Sequence, residues 1–163
     1  MIAAGHFVVR LDRYCGAMPS DAMLKMMNVV HRAVLKVSFG KAGWDAGKMP
    51  VLKLTTTGRK SGQARKVMLT SPLQVGESLV IVASRGGDDQ HPAWFHNLRD
   101  NPNVEVNYKG GGTRSMIARI ATADERAEMW PKVTARYKNY AGYQSRTQRE
   151  IPLVLLQPSP PPT

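Results

Sequence analysis

Short β-like runs separated by a few turn residues constrain the fold of this chain more than any other feature. Pro50–Thr57 is rich in β-branched residues and stops at Gly58. Further runs of this kind are Arg65–Gln74, Ser78–Ser84, Val104–Tyr108, Arg114–Ala121 and Ile151–Leu156. Glycines between neighbouring runs favour hairpins, and no βαβ repeat of about 30 residues is visible. The pattern therefore predicts a closed antiparallel β-barrel.

Helical patterns accompany the predicted strands, which makes the expected class mainly β with accessory helices (α+β). His91–Asn101 has a helical pattern. Thr122 and Glu125 have the spacing of a capping box, which predicts the start of another helix. Pro131 should kink or restart that helix, because proline lacks the backbone N–H that a helix interior requires.

The chain length of 163 residues suits a single domain. We expect residues 1–19 to be an N-terminal extension without fixed order, residues 20–157 to be one domain, and residues 158–163 to be an extended proline-rich tail. Residues 20–39 form an amphipathic helical pattern that either packs on the barrel or contacts a membrane peripherally. No apolar run reaches the roughly 18 residues of a membrane span.

The location expected from the sequence is the cytoplasm. The N-terminus lacks the pattern of a signal peptide, since its apolar run is short and charged residues follow it. A single cysteine excludes an internal disulfide, which fits a reducing compartment. Association with a membrane through residues 20–39 stays open.

Basic residues dominate the charge, with 23 Lys and Arg against 12 Asp and Glu and a net charge of +11. No acidic residue occurs from Ala46 to Gly76. The cations in this window are Lys48, Lys53, Arg59, Lys60, Arg65 and Lys66. Such a patch attracts an anion, either nucleic acid, anionic lipid or a multiply charged small molecule. We do not expect nucleic acid, because no recognition helix or aromatic RNA-binding strand is recognisable.

The sharpest local motif is the run TTTGRKSG at residues 55–62. Its glycines allow a sharp turn, while Arg59, Lys60 and Ser61 supply two cations and a hydroxyl. An arginine can bind two phosphate oxygens at once. The motif is not a Walker A loop, because no glycine stands directly before the Lys-Ser pair. It indicates either a phosphate-binding turn or a solvated basic hairpin.

Two further segments carry small or aromatic residues. The small residues of Ala83–Gly87 would let a planar ring approach the backbone. Trp94 and Phe95 are either pocket walls or core, and Asn97 could hydrogen-bond a heterocycle. The histidines of this region have no cysteine or carboxylate beside them, so no metal site is expected.

Tyr137, Tyr140 and Tyr143 recur at a spacing of three residues. They suit either the rim of a pocket that holds and protonates a substrate or the packing of a short helix. No Ser-His-Asp or Cys-His arrangement stands out in the sequence. Any chemistry is therefore expected to come from a cofactor.

Five ordered blocks between Pro50 and Pro158 resemble one known family. The blocks read TTTGRKSG, VASRGG, HPAWFHNLRDNP, ATADERAEMWP and YKNYAGYQSRTQREIP. They resemble the deazaflavin (coenzyme F420)-dependent nitroreductases, also called F420-dependent quinone reductases. The resemblance implies a split β-barrel of the FMN-binding type. It also implies hydride transfer from reduced F420 to a small hydrophobic acceptor, such as a quinone, an enone or a nitro-heteroaromatic compound.

The alternatives to this function are an FMN-dependent enzyme and a non-catalytic cofactor- or ligand-binding protein of the same fold. Split barrels of this type often pair, so a homodimer is one assembly to test. The proton that completes the reduction would come from a tyrosine, a serine or water.

The resemblance also implies roles for individual residues. Those expected to hold the phosphate and acidic tail of the cofactor are Arg59, Lys60 and Ser61. Those expected to line its next stretch are Arg65, Lys66, Val67, Met68, Leu69 and Thr70. Those expected to border the ring are Val82, Ala83, Ser84 and Arg85 on one side and Ala93, Trp94, Phe95, His96 and Asn97 on the other. The catalytic residues expected to face the acceptor are Tyr140, Tyr143 and Ser84.

Overall fold

A computed structural model describes residues 45–46, 49–108 and 112–160, together with Met26. Its strands are β1 (Asp45–Ala46), β2 (Met49–Thr57), β3 (Ala64–Thr70), β4 (Leu73–Val75), β5 (Ser78–Val82), β6 (Asn103–Tyr108), β7 (Gly112–Ile120) and β8 (Leu153–Pro158). Its helices are α1 (Ala93–Asp100), α2 (Ala123–Arg136) and α3 (Asn139–Gln144), with a 3-10 turn at Arg85–Gly87. The predicted extension 1–19 and the predicted helix 20–39 lie outside the described residues, apart from Met26.

All strand pairings in the sheet are antiparallel, in the order β1-β2-β6-β7-β8-β5-β4, with β3 pairing to β2 off this path. The predicted antiparallel, mainly β architecture is confirmed. The expected closure is wrong, because no ladder within the described sheet joins β3 to β4 or β5. The barrel is split along this line.

The split begins where the predicted strand Arg65–Gln74 breaks into two. Pro72 has no N–H to donate to a ladder, so β3 ends at Thr70 and β4 starts at Leu73. The hydroxyl of Ser71 bonds to the carbonyl of Leu73 at 3.1 Å and to that of Val80 at 3.0 Å. These bonds fix the corner that takes the chain from one edge of the split to the other.

Alternation along the strands buries two apolar clusters, one on each face of the sheet. The inner cluster combines residues such as Leu54, Val106 and Leu156 with the buried face of α1. The outer cluster combines Val80, Val82, Leu153 and Leu155 with Met129, Val133 and Tyr140 from α2 and α3. Helix α1 therefore fills the barrel, while α2 and α3 cover its outside.

Helix α2 starts at the predicted capping box, where Thr122 and Glu125 bond reciprocally. The predicted restart at Pro131 is wrong, since α2 continues through that residue to Arg136. Met129 and Val133 are buried on either side of the proline, so packing holds the two halves together.

The C-terminal boundary also differs from expectation. Pro158 was predicted to open an unpacked tail, but it ends β8 and pairs with Met116. The next residue, Ser159, donates its N–H to the carbonyl of Ser115 at 3.4 Å.

Glu125 links the start of α2 to strand β7. Both guanidinium NH₂ groups of Arg119 donate to its carboxylate at 2.7 Å. These bonds, with those from Thr122, lower the pKa of Glu125 to about 2. Because the folded pKa is depressed, the stabilisation is complete above the unfolded pKa of about 4.3 and is lost as the pH falls toward 2.

We expect the gap in thermal midpoint between the wild type and Glu125→Gln to be largest near pH 7 and to close by pH 2. Melting curves at pH 7, 4 and 2 measure this gap. Glu128→Gln is the control, since Glu128 lies on the same helix in an exposed pair with Lys132. A gap for Glu125→Gln that does not change with pH would contradict the assignment.

Candidate functional site

The basic motif forms the turn between β2 and β3. The N–H of Gly58 donates to the carbonyl of Gln63 at 2.8 Å, and Gly62 has a φ of +65°. A Cβ atom at Gly58 would lie 2.9 Å from the Ser61 hydroxyl and 3.1 Å from the Gln63 carbonyl. The two glycines therefore make this tight turn possible, and Arg59 and Lys60 lie exposed at its tip.

The turn's cations are not neutralised by carboxylates of the described chain. Within residues 49–108 and 112–160, no ion pair involves Arg59, Lys60, Arg65 or Lys66. Arg65 donates to the hydroxyl of Ser61 at 3.4 Å. The N–H groups of residues 58, 59, 61 and 62 donate within the protein, so the side chains of the turn are its main groups available for an anion.

Asn97 fixes this turn from inside the barrel. It is 8% exposed, and its side-chain oxygen accepts from the backbone N–H of Arg59 at 3.1 Å. Its amide nitrogen donates to the hydroxyl of Thr56 at 3.1 Å. The sequence suggested that Asn97 bonds a heterocycle, but the structure commits both ends of its side chain to internal partners. Its role is to hold the backbone that carries Arg59.

The other residues predicted on α1 divide between core and surface. Trp94 and Phe95 are 8% and 4% exposed and belong to the inner cluster, which is the second of the two alternatives for these rings. Ala93 is exposed and His96 is half-buried. Burial lowers the pKa of His96, with a smaller effect from Arg59, so the imidazole favours its neutral form.

The segment after β5 has an unusual backbone. Arg85, Gly86 and Gly87 have φ values of +47°, +71° and +90° in succession. A Cβ atom at Gly87 would lie 2.6 Å from the carbonyl oxygen of Tyr143. The glycine lets this loop pack directly on α3, which brings the predicted Ser84 segment and the predicted tyrosines together.

Tyr140 connects α3 to the end of β3. Its hydroxyl lies 3.0 Å from the hydroxyl of Thr70, and its ring meets that of Tyr143 edge to face at 5.9 Å. The side chain is 5% exposed, and burial raises its pKa above the usual value for tyrosine. The phenol therefore stays protonated at neutral pH and can donate a hydrogen bond.

The predicted site residues thus fall into two groups at opposite ends of β3. The basic turn precedes Ala64, while Thr70 and Tyr140 lie at the other end. Six residues of extended strand separate these ends by about 20 Å. Between them, Met68 is 8% exposed, and Val67 and Leu69 pack against the inner cluster. The arrangement suits an elongated ligand with an anionic tail.

A family model described as F420H(2)-dependent quinone reductase matches residues 28–158. The chain belongs to this family. Members are oxidoreductases that use F420H(2), so this cofactor is supported here and the FMN alternative is not. The family match and the split barrel agree with the resemblance seen in the sequence.

Individual relatives show the same similarity. The chain is 40% identical over 131 residues to the F420H(2)-dependent quinone reductase Rv1261c of Mycobacterium tuberculosis (strain ATCC 25618 / H37Rv), covering 78% of this chain and 87% of that protein. A solved structure of the F420-H2 dependent reductase FDR-A matches with a TM-score of 0.58 and 38% identity, covering 66% of this chain and 94% of that one. A domain-swapped dimer matches with a TM-score of 0.62 and 32% identity, covering 79% and 97%.

Two kinds of feature are absent from the described residues. None of the helices there is both long and apolar enough to cross a membrane. No three His, Cys, Asp or Glu side chains in that part of the chain are grouped as metal ligands would be.

The sequence singles out Asn97 but not its structural role, although a polar side chain on the apolar face of a short helix needs buried partners. A second residue, Arg149, is absent from the sequence predictions, and its guanidinium lies 2.9 Å from the carbonyl of Ser84. Nothing in the spacing of Arg149 indicated this contact, because it joins positions 65 residues apart.

Proposed function

We propose that this protein binds F420H(2) along β3 and reduces a small hydrophobic acceptor, with a quinone as the first candidate. The phosphate and carboxylates of the cofactor would lie at Arg59, Lys60 and Arg65, and its ring beside Ser84 and the α3 tyrosines. The observation that carries the proposal is a set of cations, on a rigid turn, with no carboxylate partner in the described chain.

The residues present fit this cofactor. A phosphodiester and several carboxylates need multiple cations, and the chain supplies them at one end of β3 within a net charge of +11. At the other end, the ring group would meet side chains that are mostly apolar with a few hydroxyls. When bound, F420H(2) supplies a hydride as a two-electron donor.

The protein's own residues would orient the acceptor, exclude water and deliver a proton. Tyr140, Tyr143 and Ser84 are the candidates for the last task. Tyr140 is held by Thr70, with its phenol protonated at neutral pH. Tyr143 is half-buried and lies beside the Ser84 loop. Enones and nitro-heteroaromatic compounds need the same hydride and proton, so we propose them as further acceptors.

Parallel titrations with F420H(2), reduced FMN and NADPH test this function. We expect saturable binding of F420H(2). We also expect the cofactor to be oxidised only after a short-chain quinone is added, and visible absorbance measures this oxidation. An enone and a nitroimidazole then test the wider acceptor range. Tight binding of FMN without F420H(2) binding would contradict the proposal, and binding without turnover on any acceptor would indicate a non-catalytic binder.

Tyr140→Phe and Tyr143→Phe should each lower kcat with the quinone by about tenfold, while the Kd for F420H(2) changes less than about threefold. The reason is that each change removes only a hydroxyl at the acceptor end, where water can partly replace the proton donor. Steady-state kinetics and a binding titration measure the two effects.

Thr70→Val is the matched control for Tyr140→Phe, because it removes the same hydrogen bond from the other side. It should lower kcat less than Tyr140→Phe does. If either tyrosine change affects the Kd more than kcat, that ring belongs to the cofactor site instead.

A homodimer is also part of the proposal, supported by the matching structure described as a domain-swapped dimer. Light scattering after size exclusion tests it. A mass of 18.0 kDa over the tested concentrations would contradict it.

A further inference from the structure

Arg149 lies behind the Ser84 loop and bonds to four of its groups. Its Nε donates to the carbonyl of Asp88 at 2.7 Å. One terminal nitrogen donates to the carbonyls of Ala83 at 3.2 Å and Ser84 at 2.9 Å. The other lies 3.2 Å from Nδ1 of His91. One planar guanidinium thus holds four groups of the loop in place.

The chain around Arg149 is itself held in place. The hydroxyl of Thr147 donates to the carboxylate of Asp89 at 2.7 Å. The side-chain nitrogen of Gln144 donates to the carbonyl of Arg149 at 2.8 Å, and the side-chain oxygen accepts from Arg126 at 3.1 Å. This network joins α2, the end of α3 and the loop, so the position of Arg149 is determined by three elements.

The loop carbonyls that Arg149 binds decide where the amide of Ser84 points. In a trans peptide the carbonyl and the N–H lie on opposite sides of the bond. Since the carbonyl of Ala83 faces Arg149, the N–H of Ser84 faces away from it. Neither this N–H nor the Ser84 hydroxyl has an acceptor among the described residues, although Ser84 is only 9% exposed.

Among the described residues, only Nδ1 of His96 is a fully buried side-chain polar atom without a partner, so the unpartnered hydroxyl of Ser84 reaches the surface. Gly87, three residues further along the loop, packs on the carbonyl of Tyr143. A ligand oxygen that accepted from both donors of Ser84 would satisfy them. This is the arrangement by which proteins stabilise an oxygen that gains negative charge during a reaction.

We propose that Arg149 is a positioning residue, which turns the amide and hydroxyl of Ser84 toward the acceptor so that they stabilise the charge formed on a quinone oxygen. The inference rests on the proposed function. A hydride transferred to one carbonyl oxygen of the quinone would form an O–H bond there and move an electron pair through the conjugated ring onto the other oxygen, which the donors of Ser84 would stabilise. A proton from a tyrosine or water then gives the hydroquinone, so one hydride and one proton are consumed.

Arg149→Met and Arg149→Lys test the inference. We expect Arg149→Met to lower kcat with the quinone about 10- to 100-fold. The Kd for F420H(2) should change less than about threefold, because the charged tail, which we propose supplies most of the binding, lies at the basic turn at the far end of β3. Lysine keeps the positive charge but lacks the planar set of donors of a guanidinium. Arg149→Lys should therefore have a kcat between those of Arg149→Met and the wild type. Unchanged kcat in a folded Arg149→Met protein would overturn the inference.

Arg119→Met is the matched control. Arg119 also makes a two-point contact, to Glu125, but lies on β7 away from the loop. It should lower the thermal midpoint without the selective loss of kcat. An equal loss of kcat in Arg119→Met would show that the effect of Arg149 is only structural, which would also overturn the inference.

A measurement on the wild type keeps the inference testable if the Arg149 variants do not fold. In a complex with oxidised F420 and quinone, which cannot react, hydrogen exchange of the Ser84 amide should slow at least tenfold. Protection of the Arg59 turn without protection of Ser84 would overturn the inference and leave the proposed function intact. Failure of the wild type to bind F420 at all would instead contradict the proposed function.

Discussion

Replacing Arg59 and Lys60 together by alanine should weaken F420H(2) binding about 100- to 1000-fold. Each charge-assisted hydrogen bond contributes roughly 1.5–3 kcal/mol, and a loss of about 3–4 kcal/mol corresponds to this range. Both side chains lie exposed on the turn, so their removal leaves no buried group without a partner. We therefore expect the thermal midpoint to change little. Isothermal titration with F420H(2) measures the effect.

The control must separate site contacts from net charge. The double variant Arg114→Ala with Lys132→Ala also removes one arginine and one lysine, but at positions outside the turn, on β7 and α2. It should weaken binding only a few-fold, through the long-range field, and less at high salt. Equal losses in the two double variants would show that general charge, and not the turn, holds the cofactor.

Asn97→Ala should lower both the free energy of unfolding and the affinity for F420H(2). The change leaves the N–H of Arg59 and the hydroxyl of Thr56 without their buried partner, which costs about 2–3 kcal/mol. It also frees the backbone that places Arg59, so we expect binding to fall roughly tenfold. Urea denaturation and the same titration measure the two effects.

Leu98→Ala is the matched control on the same helix. Leu98 is 1% exposed in the inner cluster, and its truncation should cost about 2–5 kcal/mol. It does not touch the turn, so the variant should lose stability and keep its affinity where it remains folded. If Asn97→Ala retains full affinity, Asn97 is only a core residue.

Much of the fold was readable because its signals are local. Short β-branched runs bounded by turn residues predict the strands to within a few residues, and Thr122 with Glu125 predicts the start of α2. The break after Thr70 has a local signal that the prediction did not use, since Pro72 cannot donate to a ladder. The geometry of the corner is not readable from the sequence, because it depends on the hydrogen bond from Ser71 to Val80. The passage of α2 through Pro131 was missed for a similar reason, since packing against other elements outweighs the local preference.

The candidate site is most readable where its side chains are exposed. Charge and turn residues predict an exposed basic turn at Arg59 and Lys60, and both residues lie exposed between β2 and β3; their contact with a cofactor stays a prediction. The sequence around Trp94 and Phe95 is the same whether these rings line a pocket or fill the core. Their packing in the inner cluster shows that they belong to the core. Asn97 and Arg149 form hydrogen bonds to backbone groups that are far away in the sequence. Such contacts produce no recognisable sequence pattern.

The open seam of the barrel has a consequence for the solubility of the protein. In the described sheet β3 pairs only with β2, and its first three residues, Ala64 to Lys66, are exposed. Like-charged side chains on an edge strand discourage polymerisation by repelling a second copy. Arg65 and Lys66 lie on this strand. We therefore expect the cations that suit a polyanion also to disfavour pairing of two copies along this strand.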